Sequence, residues 1–114
     1  MTRLITTALA GFAVLGAIAT TASASSIQTI DCQIDLSLDA ERTICASQRL
    51  QILDAEITEV YADRMTDRRI SPAGKAHLRN SQYAFLTRRN TCGADHGCLA
   101  EVMGARLTRI RSLF

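Results

Sequence analysis

The stretch QRLQILDAEITEVYADRMTD, Gln48 to Asp67, decides the fold class. Its apolar residues Leu50, Leu53, Ile57, Val60 and Tyr61 recur at steps of three and four, which places them on one stripe of an α-helix. Ser47 stands just before the stretch, where its hydroxyl can cap the first turn. The chain beyond it breaks at Ser71-Pro72, and serine followed by proline is a helix start, because proline fits the first helical position. That next helix should carry Leu78, Tyr83, Phe85 and Leu86 and reach Cys92, with Gly93 supplying a left-handed stop. Asp95 can cap a last helix whose inner face is Leu99, Val102, Met103, Leu107 and Ile110. Upstream, Asp39 to Ala46 reads as a short helix with Ser37 or Asp39 as its cap. No part of residues 25–114 shows sustained strand alternation. The expected fold is all-α: a small helical hairpin with a packed third helix and a short N-terminal helix.

The first 24 residues read differently. Met1-Thr2-Arg3 opens with positive charge, Leu4 to Ala19 is uncharged and mostly apolar, and Ala22-Ser23-Ala24 offers the small residues of a cleavage site. This is the pattern of a signal peptide, and the apolar run is shorter than the roughly 20 residues of a membrane span. Cleavage after Ala24 would leave 90 of the 114 residues as one domain, 25–114, with a polar leader from Ser25 to Asp31. Removal takes Arg3 alone from thirteen basic residues and none of the eleven acids, so the balance falls to +1. Near-neutral charge argues against a nucleic-acid partner. The expected location is the periplasm or the exterior, with no stable membrane insertion after cleavage.

A helical domain of this size buries only about 60–65% of its unfolded surface, so covalent staples are expected. Cys32, Cys45, Cys92 and Cys98 all follow the signal and can form two disulfides. Nearest-neighbour pairing, Cys32–Cys45 with Cys92–Cys98, closes short loops at low entropic cost. Cys45–Cys92 with Cys32–Cys98 would instead cross-link helix ends and stays open on the residues alone. A metal at Cys92-x-x-x-His96-x-Cys98 would need a fourth ligand that is not evident, so no metal and no cofactor are expected.

Several of these residues form a longer pattern. Asp31-Cys32, Glu41 and Ile44-Cys45 open it; Leu53-Asp54-Ala55-Glu56-Ile57 and Tyr61 continue it. Gln82-Tyr83-Ala84-Phe85-Leu86-Thr87-Arg88-Arg89-Asn90-Thr91-Cys92 follows, then Cys98-Leu99 and Arg106-Leu107. Together they resemble the LprI-type lysozyme inhibitor domain, whose pattern is D-C, E-x-x-I-C, L-D-x-E-L, Y, Q-x-x-W-L-x-x-R-x-x-C and C-L. Phe85 stands where that family usually has tryptophan, and Met103 where it commonly has an aromatic residue. The resemblance implies a non-enzymatic protein that binds and blocks a lysozyme or related peptidoglycan hydrolase. A periplasmic module that binds another envelope protein fits composition and periodicity equally well.

Two surfaces are candidates for partner binding. Glu56, Glu59, Asp63 and Asp67 step along one edge of the long helix beside its apolar stripe, and such an acidic edge would steer a cationic lysozyme. The same acids also fit an ordinary solvated face, partly paired with Arg64, Arg79 or Arg88. The second candidate is the helix–helix connection, where Arg68 and Arg69 could grip an enzyme carboxylate. Nothing supports catalysis: no G-x-S-x-G elbow, H-E-x-x-H helix or phosphate-cradling glycine loop is present, and neither His77 nor His96 has a sequence-defined nucleophile beside it.

Overall fold

The computed structural model describes residues 29–113 together with Gly16; the signal peptide expected over residues 1–24 lies outside the described residues. Four helices follow in order: α1 (Asp39–Cys45), α2 (Gln48–Thr66), α3 (Pro72–Thr91) and α4 (His96–Ser112). No strand occurs among the described residues. Each long helix begins where its cap dictates. Ser47 Oγ accepts from Leu50 N–H at 3.3 Å, Ser71 Oγ from Gly74 N–H at 3.1 Å, and Asp95 Oδ1 from Cys98 N–H at 3.0 Å. Each such cap contributes about 1 kcal/mol. Gly93, with φ 57°, turns the chain out of α3 in the left-handed region that glycine enters without a Cβ clash.

The start of α1 departs from expectation. Its N-cap is Leu38, with no side-chain hydrogen bond, rather than Ser37 or Asp39. Asp39 lies one position inside the helix, where its carboxylate meets the positive end of the helix dipole and pairs with Arg42.

The core is one cluster built from Ala40 and Ile44 of α1, Leu50, Ile57 and Tyr61 of α2, Leu78 and Phe85 of α3, and Leu99, Met103, Leu107 and Ile110 of α4. Helix α4 lies most extensively on α2, while the short α1 touches all three long helices and closes one end of the bundle. Leu53, Val60, Leu86 and Val102 pack half-buried around this cluster. Tyr83 does not join it: 53% exposed, it sits one position beyond the buried Gln82 and so faces away from the helix's inner side.

The disulfides are Cys32–Cys45 and Cys92–Cys98, the nearest-neighbour pairing. They close loops of 13 and 6 positions, and each contributes about 2–3 kcal/mol on a chain-entropy argument. The first ties the segment before α1 to the end of that helix. The second spans the turn between α3 and α4. With both sulfurs of Cys92 and Cys98 in a disulfide, the Cys92-to-Cys98 stretch has no thiolate to offer a metal.

Candidate functional site

Each long helix carries one or two polar residues at steps where its core stripe calls for an apolar one. On α2 the buried row is Leu50, Asp54, Ile57, Tyr61; on α3 it is Leu78, Gln82, Phe85, Arg89; on α4, Arg106 lies between Met103 and Ile110. Sequence reasoning passed over these positions as sites in their own right. The signal that finds them is a charged or amide side chain standing in register with buried neighbours.

These insertions meet in two networks. In the first, Arg89, only 4% exposed, reaches across to α1 and α2. Its Nη2 donates to Glu41 Oε1 at 3.3 Å and to Asn90 Oδ1 at 2.9 Å, its Nε donates to Asn90 Oδ1 at 3.0 Å, and its Nη1 lies 3.9 Å from Asp54 Oδ1. The other Asp54 oxygen accepts the Ile30 backbone N–H at 2.9 Å. Burial pushes the Asp54 carboxyl above its ordinary range, against the opposing pull of the Ile30 hydrogen bond and the Arg89 charge. Burial likewise lowers Arg89, offset by Asp54 and Glu41. In the second network, Arg106 Nε and Nη2 both donate to Gln82 Oε1 at 3.0 and 2.8 Å, and Nη1 donates to Ser81 Oγ at 3.2 Å. The same guanidinium lies 5.8 Å from the centre of the Phe85 ring, in cation–π range. No buried side-chain polar atom among the described residues lacks a partner.

Above the first network opens a cleft of about 280 Å³. Ile30, Ile34, Leu36, Tyr83 and Leu86 wall it, and Glu41, Asp54 and Arg89 lie at its base. Farther along α3, a second groove is lined by Arg68, Ile70, Pro72, Lys75 and Arg79, with no acid among them. Lys75 and Arg79 share a face because they are four residues apart. They lie in the first turns of α3, where the helix dipole disfavours cations and where no acid offsets them. Burial raises the Tyr61 hydroxyl above its ordinary range, against the opposing charges of Arg79 and Arg106.

Along the edge of α2 that carries the candidate partner-binding acids, guanidiniums stand beside the carboxylates. Glu56 is paired with Arg111 at 3.3 Å, and Asp67 with Arg69 at 2.9 Å. Asp63 lines a shallow groove with Arg64, Arg69 and Arg111, so guanidiniums interleave with the acids there, and Arg64 donates to the Arg111 carbonyl at 3.1 Å. Among the described residues the ion pairs of these acids are with Arg69 and Arg111, and the Arg64 charge also acts on Asp67. Glu59 is exposed. Of the two loop arginines, Arg69 donates from its backbone N–H and from its guanidinium to Asp67, which holds that carboxyl down to about 2. Arg68 is exposed and turned into the cationic groove. His96 does have a hydroxyl neighbour, Ser47 Oγ at 3.0 Å from Nε2, but that oxygen already accepts the Leu50 N–H as a helix cap.

A family model for the lysozyme inhibitor LprI matches residues 30–110. The chain belongs to the LprI lysozyme inhibitor family. No curated protein and no solved structure matches it significantly. The family's pattern falls on the inside of the molecule: Glu41, Asp54, Gln82, Phe85, Arg89 and Arg106 are the two networks and the ring beneath them. LprI membership is therefore written mainly in what holds the helices together. Two disulfides and this membership point to an extracytoplasmic protein. Among the described residues no helix is long and apolar enough to cross a membrane.

Proposed function

We propose that this protein is exported, loses residues 1–24, and acts in the periplasm or outside the cell as a non-enzymatic inhibitor that binds and blocks a lysozyme-type peptidoglycan hydrolase. The family match over residues 30–110 carries this reading. A glycosidase of that class works through two carboxyl groups in a cleft, one of which must hold a proton. A cation placed against those carboxyls draws the proton off and occupies the substrate's position. The groove of Arg68, Lys75 and Arg79 supplies such cations without an internal acid to neutralise them, and the helix dipole of α3 adds to its potential. Glu59 and Asp63 offer the opposite charge for steering a basic enzyme, in a weaker role because arginines interleave with the acidic edge.

The test is inhibition of several lysozyme classes by the purified, oxidised protein, with a reduced sample beside it. Charge reversal at Arg68, Lys75 and Arg79 together should abolish inhibition by this groove, whereas Glu59→Gln with Asp63→Asn should slow association and steepen no other defect. An oxidised, folded protein that neither binds nor inhibits any lysozyme class at micromolar concentration would sink the inhibitor reading.

A further inference from the structure

The apolar-walled cleft between the pre-α1 segment and α3 has a chemistry of its own. Its lining carries three carboxylates, Asp31, Glu41 and Asp54, against one guanidinium, Arg89. Two of the four exposed large hydrophobic residues among the described residues, Ile34 at 60% and Tyr83 at 53%, stand on its walls. We propose that this cleft receives a lysine or arginine side chain from a basic partner protein. That partner is the hydrolase if the inhibitor reading above holds, and in that sense the inference rests on it.

Other occupants fit worse. An anion would meet three carboxylates, while the Arg89 Nε and Nη2 groups are spent on Asn90 and Glu41 and its Nη1 faces Asp54. A wholly apolar group would bury the partly exposed Glu41 carboxylate and shut water from Asp31 without replacing its hydration, which is unfavourable. A long aliphatic cation meets both demands. Its methylenes lie against Ile34, Leu36 and Leu86, its charge reaches the excess carboxylates, and the Tyr83 ring offers a face for cation–π contact. The cleft volume of about 280 Å³ is room for such a side chain. Its walls are also held in place: Cys32–Cys45 and the Ile30–Asp54 hydrogen bond fix the segment that carries Ile34 and Leu36, so little ordering is needed on binding.

The experiment titrates the isotopically labelled, oxidised protein with Nα-acetyl-lysine methylamide, with the norleucine and glutamate analogues as comparators, and reads amide shifts. The lysine probe should give saturable shifts centred on Ile34, Tyr83 and Leu86. Tyr83→Ala should weaken it about twofold to thirtyfold, and Asp31→Asn should weaken it further. Both residues are exposed, so neither substitution threatens the fold. Equal binding of the norleucine analogue, shifts centred elsewhere, or no saturable response overturns the inference. Inhibition assays separate the two readings. If a hydrolase is inhibited and Tyr83→Ala with Ile34→Ser leaves the inhibition constant unchanged, the cleft assignment fails and the inhibitor reading stands. If the lysine probe saturates the cleft and no hydrolase is inhibited, the cleft's preference stands and its partner is a different basic protein.

Discussion

Arg89 and Glu41, 48 positions apart, meet inside the bundle, with Arg89 Nη2 donating to Glu41 Oε1 at 3.3 Å. The contact joins α3 to α1 and, through Asp54 and Ile30, binds the pre-helical segment to α2. Removing the guanidinium leaves two carboxylates in a poorly hydrated site with no counter-charge. Arg89→Ala should therefore cost about 3–5 kcal/mol of folding free energy, measured by urea denaturation. A loss below about 1 kcal/mol, the size of an exposed pair, would mean that water reaches the network freely.

The Arg106–Gln82 contact makes a separate prediction. Gln82 is 1% exposed and its single oxygen takes two donors from Arg106. Gln82→Ala strips both and should cost about 1.5–3 kcal/mol. Gln82→Glu keeps the acceptor and adds a charge for the guanidinium, so it should retain more stability than the alanine variant in the same denaturation series.

Asp67 should titrate near 2, because Arg69 donates to it from side chain and backbone. A carboxyl depressed in the folded state adds stability above its ordinary range, and that contribution is lost as pH falls through about 2. Carbon-detected NMR titration of the side chain reads the midpoint. Arg69→Ala should return it toward the ordinary 3.8, and an unmoved midpoint would show that the pair does not persist in solution.

Asp54 carries the opposite sign. Burial raises its carboxyl, so the protonated form is favoured by folding; its contribution is full below the ordinary carboxylate value and declines as pH rises through the raised folded value. Asp54→Asn removes this titration while keeping an oxygen for the Ile30 N–H. The stability difference between wild type and variant should shift toward wild type as pH is lowered through that window. A difference that is flat with pH would place the carboxyl in ordinary solvent.

Much of this architecture is legible in the chain because local chemistry dictates it. Ser47, Ser71-Pro72, Gly93 and Asp95 mark helix ends through backbone groups one turn away, and the long helices begin where those residues place them. The disulfide pairing is also local, between cysteines near in sequence. Contacts between distant helices are less readable. Asp54 sits in the same octad of charged and apolar letters as Glu56 and Glu59, yet one is buried and the others line the surface, a distinction set by which side of α2 the other helices approach. Tyr83 reads as core because it is aromatic, but one residue is about 100° of helix rotation, enough to turn it outward. The cationic groove eluded the spacing of Arg68 and Arg69 because half of it, Lys75 and Arg79, comes from the next helix.

The charged triad of Glu41, Asp54 and Arg89 bears on a choice that the apolar stripes leave open. Helices with one greasy side each can close around a common centre with either handedness, left-turning or right-turning, and bury nearly the same area. The triad, one residue from each of α1, α2 and α3, is satisfied where those three faces meet at one level; an arrangement that separates them strands a charge in the interior. Replacing all three with leucine or methionine should leave the stability similar while removing that discrimination, seen as broadened or doubled amide resonances. A single sharp spectrum from the apolar variant would assign the choice of hand to the loops and disulfides instead.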